Sequence, residues 1–169
     1  TFRVNVQVPF LMIQKLMRPL EAVKGSVVNI GSIHSKLTKP KFSLYSASKG
    51  ALNALANSLK TEYQNSGLNI SIAIPPAMPT GIITNGGHIG ASERNAEVAF
   101  LDKYGMKPEI AAERIVSAML KGVFRIRVGW QIRSLDFLAR FSPVVVHSLI
   151  GRFRERIPFI AGGTFAKPF

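Results

Sequence analysis

Tyr45 and Lys49 stand four residues apart in the stretch SLYSASKG. On a helix, positions i and i+4 lie one above the other, so a phenol and an ammonium would sit side by side. A free phenol ionises near pH ~10, too high for efficient proton exchange near neutrality. A neighbouring ammonium stabilises the phenolate and pulls that value down. The pair could therefore work as an acid–base group. Taken alone, it reads more simply as a solvated helix face, because short matches of common residues arise by chance. Its company changes that. Ser32 precedes Tyr45 by thirteen residues, at the end of an apolar run, and Thr80 follows the next apolar run, after PPAMP. In open α/β sheets, ligands bind outside the carboxyl ends of the strands. As isolated residues Ser32 and Thr80 are ordinary turn and loop side chains. Together they bring three hydroxyls and an ammonium to one sheet edge.

Asn5 lies forty residues before Tyr45, with Pro9 four residues later. Proline has no N–H to give the carbonyl of residue i−4. If the first helix runs through Pro9, the Asn5 carbonyl needs another donor, and an ordered water suits it. The equal alternative is a regular helix that starts near Pro9, with proline in its first turn.

The elements that must hold these residues follow from periodicity. Phe10, Ile13, Leu16, Met17 and Leu20 recur at helical spacing. GSVVNIGS and LNISIAI read as buried strands, near-continuously apolar as in a parallel sheet. Residues 33–42 read as a loop, and Ser43 as the N-cap of a helix that runs on to a stop at Gly67. Residues 76–107, with five glycines, read as a long loop of the kind that forms lids. Pro108 opens another helix, VFRIRVG alternates as a third strand, and two short amphipathic helices close the chain. Alternation of strands and helices predicts an α/β fold with a doubly wound, Rossmann-like parallel sheet. Three strands make a narrow sheet, which predicts further strands ahead of Thr1.

The sequence has 169 residues, 47% of them hydrophobic, and no cysteine. Disulfide frameworks and thiolate zinc sites are excluded, and an intracellular location is favoured, cytoplasmic or peripheral on a membrane. No apolar run approaches the ~18 residues of a membrane span. The net charge of +13 favours anionic partners. No basic block with interleaved aromatics appears, so nucleic acid is not among the expected partners. His34, His88 and His147 lack ligand spacing, and no metal site is expected. G-x-S-x-G is absent, which argues against a hydrolase serine.

Asn5, NIGS ending in Ser32, YSASK and IPPAMPT stand in the order and spacing of the short-chain dehydrogenase/reductase (SDR) family. The chain resembles that family over roughly residues 1–130, from the helix before its fifth strand onward. The resemblance implies an NAD(P)-dependent oxidoreductase that moves a hydride between cofactor and a carbonyl or alcohol. Tyr45 would be the acid–base of the Tyr-x-x-x-Lys motif. Lys49 would lower its pKa and hold the nicotinamide ribose. Ser32 would polarise the substrate carbonyl. The main-chain carbonyl of Asn5 would hold a water in a proton relay to Lys49. Thr80 and the backbone near Pro75 and Met78 would contact the carboxamide. The family's Pro-Gly is Pro75-Pro76 here, and its glycine-rich phosphate loop and first strands are absent from these residues. GGHIG at 86–90 does not replace that loop; it suits a flexible lid. NAD and NADP are both open, with the basic charge favouring NADP. A homodimer is common in the family.

The domain reading is thus 1–130 as the C-terminal part of a cofactor-binding domain, with a substrate lid at 76–107, and 131–169 as a basic amphipathic extension. From Lys121 onward there are nine basic and two acidic residues. The extension reads as core packing and a cap over a pocket for a lipophilic substrate, or as an attachment to an anionic membrane surface. A rival from another class is a non-catalytic SDR-like scaffold that binds a partner or a membrane.

Overall fold

The computed structural model describes residues 1–38, 42–81 and 91–152. Helix α1 (Val8–Ala22) is entered through a π-turn at Arg3–Gln7. Strand β1 (Ser26–Ile30), helix α2 (Ser43–Glu62) and strand β2 (Asn69–Ile74) follow. Then come α3 (Ala91–Tyr104), α4 (Pro108–Leu120), β3 (Arg125–Arg127), α5 (Trp130–Phe141) and α6 (Pro143–Arg152). The three strands are parallel in the order β1-β2-β3, with Ser26 opposite Asn69 and Ile72 opposite Arg125.

The alternation of β2 decides what packs where. Ile70 joins Ile13 and Met17 of α1 and Leu59 of α2 in one core. Its neighbour on the opposite face, Ala73, joins Ala111 of α4 with Ile126 and Val128 in the other. Helices therefore cover both faces, the Rossmann-like arrangement that near-continuous apolar strands require. Every residue from Ile70 to Ile74 is buried. Gly31 closes the β1–β2 step: its N–H donates to the Ala73 carbonyl at 2.7 Å, and a Cβ there would stand 3.1 Å from the Ile72 side chain.

Four expectations change. Residues 91–104, read as loop, form α3; their weak apolar periodicity hides a run of good helix formers, and Leu101 anchors them. Residues 82–90, including GGHIG, lie outside the described residues. Phe42, not Ser43, caps α2, without a side-chain cap bond, and α2 ends at Glu62, short of Gly67. Residues 33–35, read as loop, form a 3-10 turn. The fourth concerns the first of the two closing amphipathic helices, whose charged Asp136 is 1% exposed. Burial of a carboxylate needs cationic partners, and three converge on it: Lys36 and Arg127 at 2.5 Å, Arg140 at 3.2 Å. This cluster ties α5 to β3 and to the turn after β1.

Candidate active site

Because β1 and β2 are parallel and in register, their carboxyl ends emerge side by side. Ser32 stands just beyond β1, and Pro75, Met78 and Thr80 just beyond β2. Ser32 caps the 3-10 turn at Ile33–Ser35: its Oγ accepts from the His34 N–H at 3.2 Å. A hydroxyl that accepts still has its own proton to donate. Pro75 and Met78 are half-buried, Met78 against the α4 core, and Thr80 is exposed.

Tyr45 and Lys49 lie one turn apart on α2. The Lys49 Nζ donates to the Ile30 carbonyl at 2.9 Å, which fixes the ammonium at the carboxyl end of β1. It also stands 5.8 Å from the centroid of the Tyr45 ring, within cation–π reach. Burial lowers the Lys49 pKa from its ordinary 10.5. Tyr45 is half-buried and walled by two rings, His34 at 5.9 Å and Phe42 at 6.1 Å, both edge-on. His34 and Phe42 stack on each other, and His34 Nδ1 is 2.9 Å from the Leu37 carbonyl. A carbonyl only accepts, so Nδ1 carries the proton.

Asn5 arrives from the first helix. The chain is helical on both sides of Pro9, and the regular α-helix begins one residue before it, so both sequence readings hold in part. The missing proline N–H coincides with the π-turn, in which Val8 N–H reaches back to the Arg3 carbonyl. The Asn5 side chain donates from Nδ2 to Ser48 Oγ at 3.0 Å, and Ser48 donates on to the Tyr45 carbonyl at 2.7 Å. Ser48 is fully buried. The structure thus joins Asn5, Tyr45 and Lys49 through α2, with Ser32 linked to Tyr45 by His34. Ser48, His34 and Phe42 were not singled out as site residues in the sequence. Ser48 could have been suspected from its place inside YSASK; nothing in the local pattern marks the two rings.

The arrangement can exchange a proton at a phenol, donate to an oxygen from a serine, and bind a hydroxylated ligand through an anchored ammonium. Residues 1–88 match the model of the family described as short chain dehydrogenase. The chain belongs to that family. A dehydrogenase/reductase SDR family protein 7-like of Drosophila melanogaster is 33% identical over 57% of this chain and 29% of its own length. L-xylulose reductase of Caenorhabditis elegans is 29% identical over 71% of this chain and 47% of its own. Among solved structures, a short-chain dehydrogenase from Streptomyces avermitilis superposes with a TM-score of 0.65 at 25% identity, over 92% of this chain and 59% of its own. One from Sphingobium yanoikuyae gives 0.64 at 17% identity, over 98% of this chain and 56% of its own. The chain therefore spans between 29% and 59% of the length of these relatives.

Proposed function

We propose that this chain supplies the catalytic half of an NAD(P)-dependent oxidoreductase acting on a carbonyl or alcohol. The observation that carries the reading is Lys49, held on the Ile30 carbonyl against the Tyr45 ring at the carboxyl end of β1. An ammonium has three donors, and one is used on Ile30. That donor chemistry fits the hydroxyls of a nicotinamide ribose. Tyr45 and Lys49 would hold the ribose, and Pro75, Met78 and Thr80 would border the carboxamide. When bound, the nicotinamide supplies or takes the hydride.

The chain's own residues do the rest. Ser32 Oγ–H donates to the substrate oxygen and polarises it. Tyr45 gives that oxygen its proton in reduction and removes it in oxidation. The Lys49 charge favours the phenolate and makes the transfer feasible near neutrality. Asn5, through its main-chain carbonyl, orients a water that passes protons to Lys49. Residues 76–81 and α3 would border the substrate, and the His34 and Phe42 rings beside Tyr45 suit a lipophilic one. The +13 charge favours NADP over NAD. A homodimer would form through α1 and α2, where α1 exposes Phe10, Leu11 and Met12.

Titration of NADPH and NADH fluorescence against the protein tests this, followed by turnover of a panel of aldehydes and ketones. Saturable binding with turnover supports the oxidoreductase. Absence of saturable binding by the protein supports the non-catalytic scaffold instead.

A further inference from the structure

Helix α5 is built inside out on its solvent side. Ile132, Asp136 and Ala139 face inward and are buried. The face directly opposite, where charged residues belong, carries Trp130, Phe137 and Phe141, exposed by 72%, 59% and 75%. Phe137 and Phe141 touch, with ring centroids 4.7 Å apart. Val144 and Val145 extend the apolar surface onto α6. Exposed apolar clusters of this kind mark interaction sites.

Beside this ridge lies an open cleft of about 1090 Å³ between α4, β3 and α5. Trp130 and Phe137 line it together with Arg114, Lys121 and Arg133. Among the described residues, none of these three cations has an ion-pair partner, whereas Arg127 and Arg140 share the single carboxylate of Asp136 with Lys36. Uncompensated cations beside outward aromatics are what an interfacial helix presents to anionic lipid headgroups.

We propose that the α5 face docks on an anionic phospholipid surface, the aromatic ridge entering the headgroup boundary and the cleft cations meeting lipid phosphates. Charge decides against the other occupants. A second copy of a chain of net charge +13 would set the same cations against each other in a two-fold contact. The segment after Arg152 is itself basic, with Arg154, Arg156 and Lys167 against Glu155. No helix among the described residues is long and apolar enough to cross a membrane, so the contact is peripheral. The inference does not rest on the oxidoreductase reading, and its residues lie outside the catalytic group.

Vesicle flotation of the protein tests it, with phosphatidylcholine alone and with about 30% phosphatidylserine added, the anionic lipid that attracts basic segments. The expected result is binding to the anionic vesicles alone, weakened by salt, with a blue shift of the Trp130 emission. Phe137→Ser with Phe141→Ser, and separately Lys121→Glu with Arg133→Glu, should each lower binding about tenfold or more while the thermal unfolding midpoint stays unchanged. Equal binding to neutral vesicles overturns the proposal, as does anionic binding that neither pair weakens. A doubled mass in solution that the Phe pair abolishes assigns the face to a second copy. Blue-shifted Trp130 emission in a vesicle-free monomer assigns it to the chain's own tail. Either result overturns the membrane assignment.

Discussion

The Asn5 Nδ2 and the Ser48 Oγ are 3.0 Å apart, and the Ser48 proton goes on to the Tyr45 carbonyl. One buried hydroxyl therefore links the π-turn before α1 to the turn of α2 that carries the proposed acid–base. Replacement by alanine leaves the Asn5 amide without this acceptor and removes the second donor to the Tyr45 carbonyl, which keeps its helical N–H partner. Ser48→Ala should cost about 1–3 kcal/mol, the penalty for unsatisfied buried polar groups. Because Tyr45 loses its support, kcat should fall more than KM rises, and Ser48→Thr should restore part of both. Urea unfolding and steady-state kinetics on the three proteins check this. An Ser48→Ala protein with unchanged stability and turnover would show the link to be incidental.

Tyr45→Phe removes one oxygen and keeps the ring that packs against His34 and Phe42. Turnover should drop by about 10²–10⁴-fold, the scale of general acid–base catalysis. The unfolding midpoint should hold, and cofactor affinity should fall by less than turnover does, because Lys49 remains on Ile30. Near-normal turnover would end the proposed role for Tyr45.

The backbone of this result was legible because its signals are local. Ile70, Ile72 and Ile74 read as a buried strand from composition alone, and the Ser32–Tyr45–Lys49 spacing set the parallel strand ends to be compared. What escaped depends on contacts between distant segments. Asp136 looks like a surface residue in its helix; only Lys36, a hundred residues earlier, and Arg127 on β3 make its burial tolerable. His34 walls Tyr45 because a 3-10 turn folds back over α2, and Phe42 joins it from the N-cap of α2. Helix α3 has too little amphipathicity to announce itself.

Asp136 also sets an acid limit. Burial alone would raise its pKa, but hydrogen bonds from Lys36 and Arg127 outweigh that and hold it below the ordinary 3.8. A depressed carboxylate stabilises the fold at pH above its unfolded value, and the gain disappears as pH falls through the folded one. At neutral pH, Asp136→Asn should cost about 1–3 kcal/mol, since it weakens the charge-assisted hydrogen bonds from the half-buried Lys36 and Arg127. The gap between wild type and variant should close as pH falls below 3.8. Chemical denaturation at neutral pH and at acid pH measures both. A gap that widens in acid would contradict the ion-pair account.

Lys49 predicts a slope of the same sign, in the alkaline range. It has no carboxylate partner in the described structure, and burial lowers its pKa below 10.5. Below the folded value the ammonium is charged in both states, and its burial opposes folding in full. Between the folded value and 10.5 the unfolded chain holds the proton while the native protein has released it. Stability of the wild type therefore rises with pH across that window. Lys49→Met removes the titration, so the stability of the variant minus that of the wild type should decline as pH climbs toward 10.5. The lost bond to the Ile30 carbonyl shifts the offset between the two proteins but leaves the sign of the slope. Turnover should collapse in the variant, because the phenol loses its neighbouring charge. Urea unfolding of both proteins at neutral and alkaline pH reads the slope. A flat difference would show that burial does not shift Lys49, and one that grows with pH would show that a charge partner holds it.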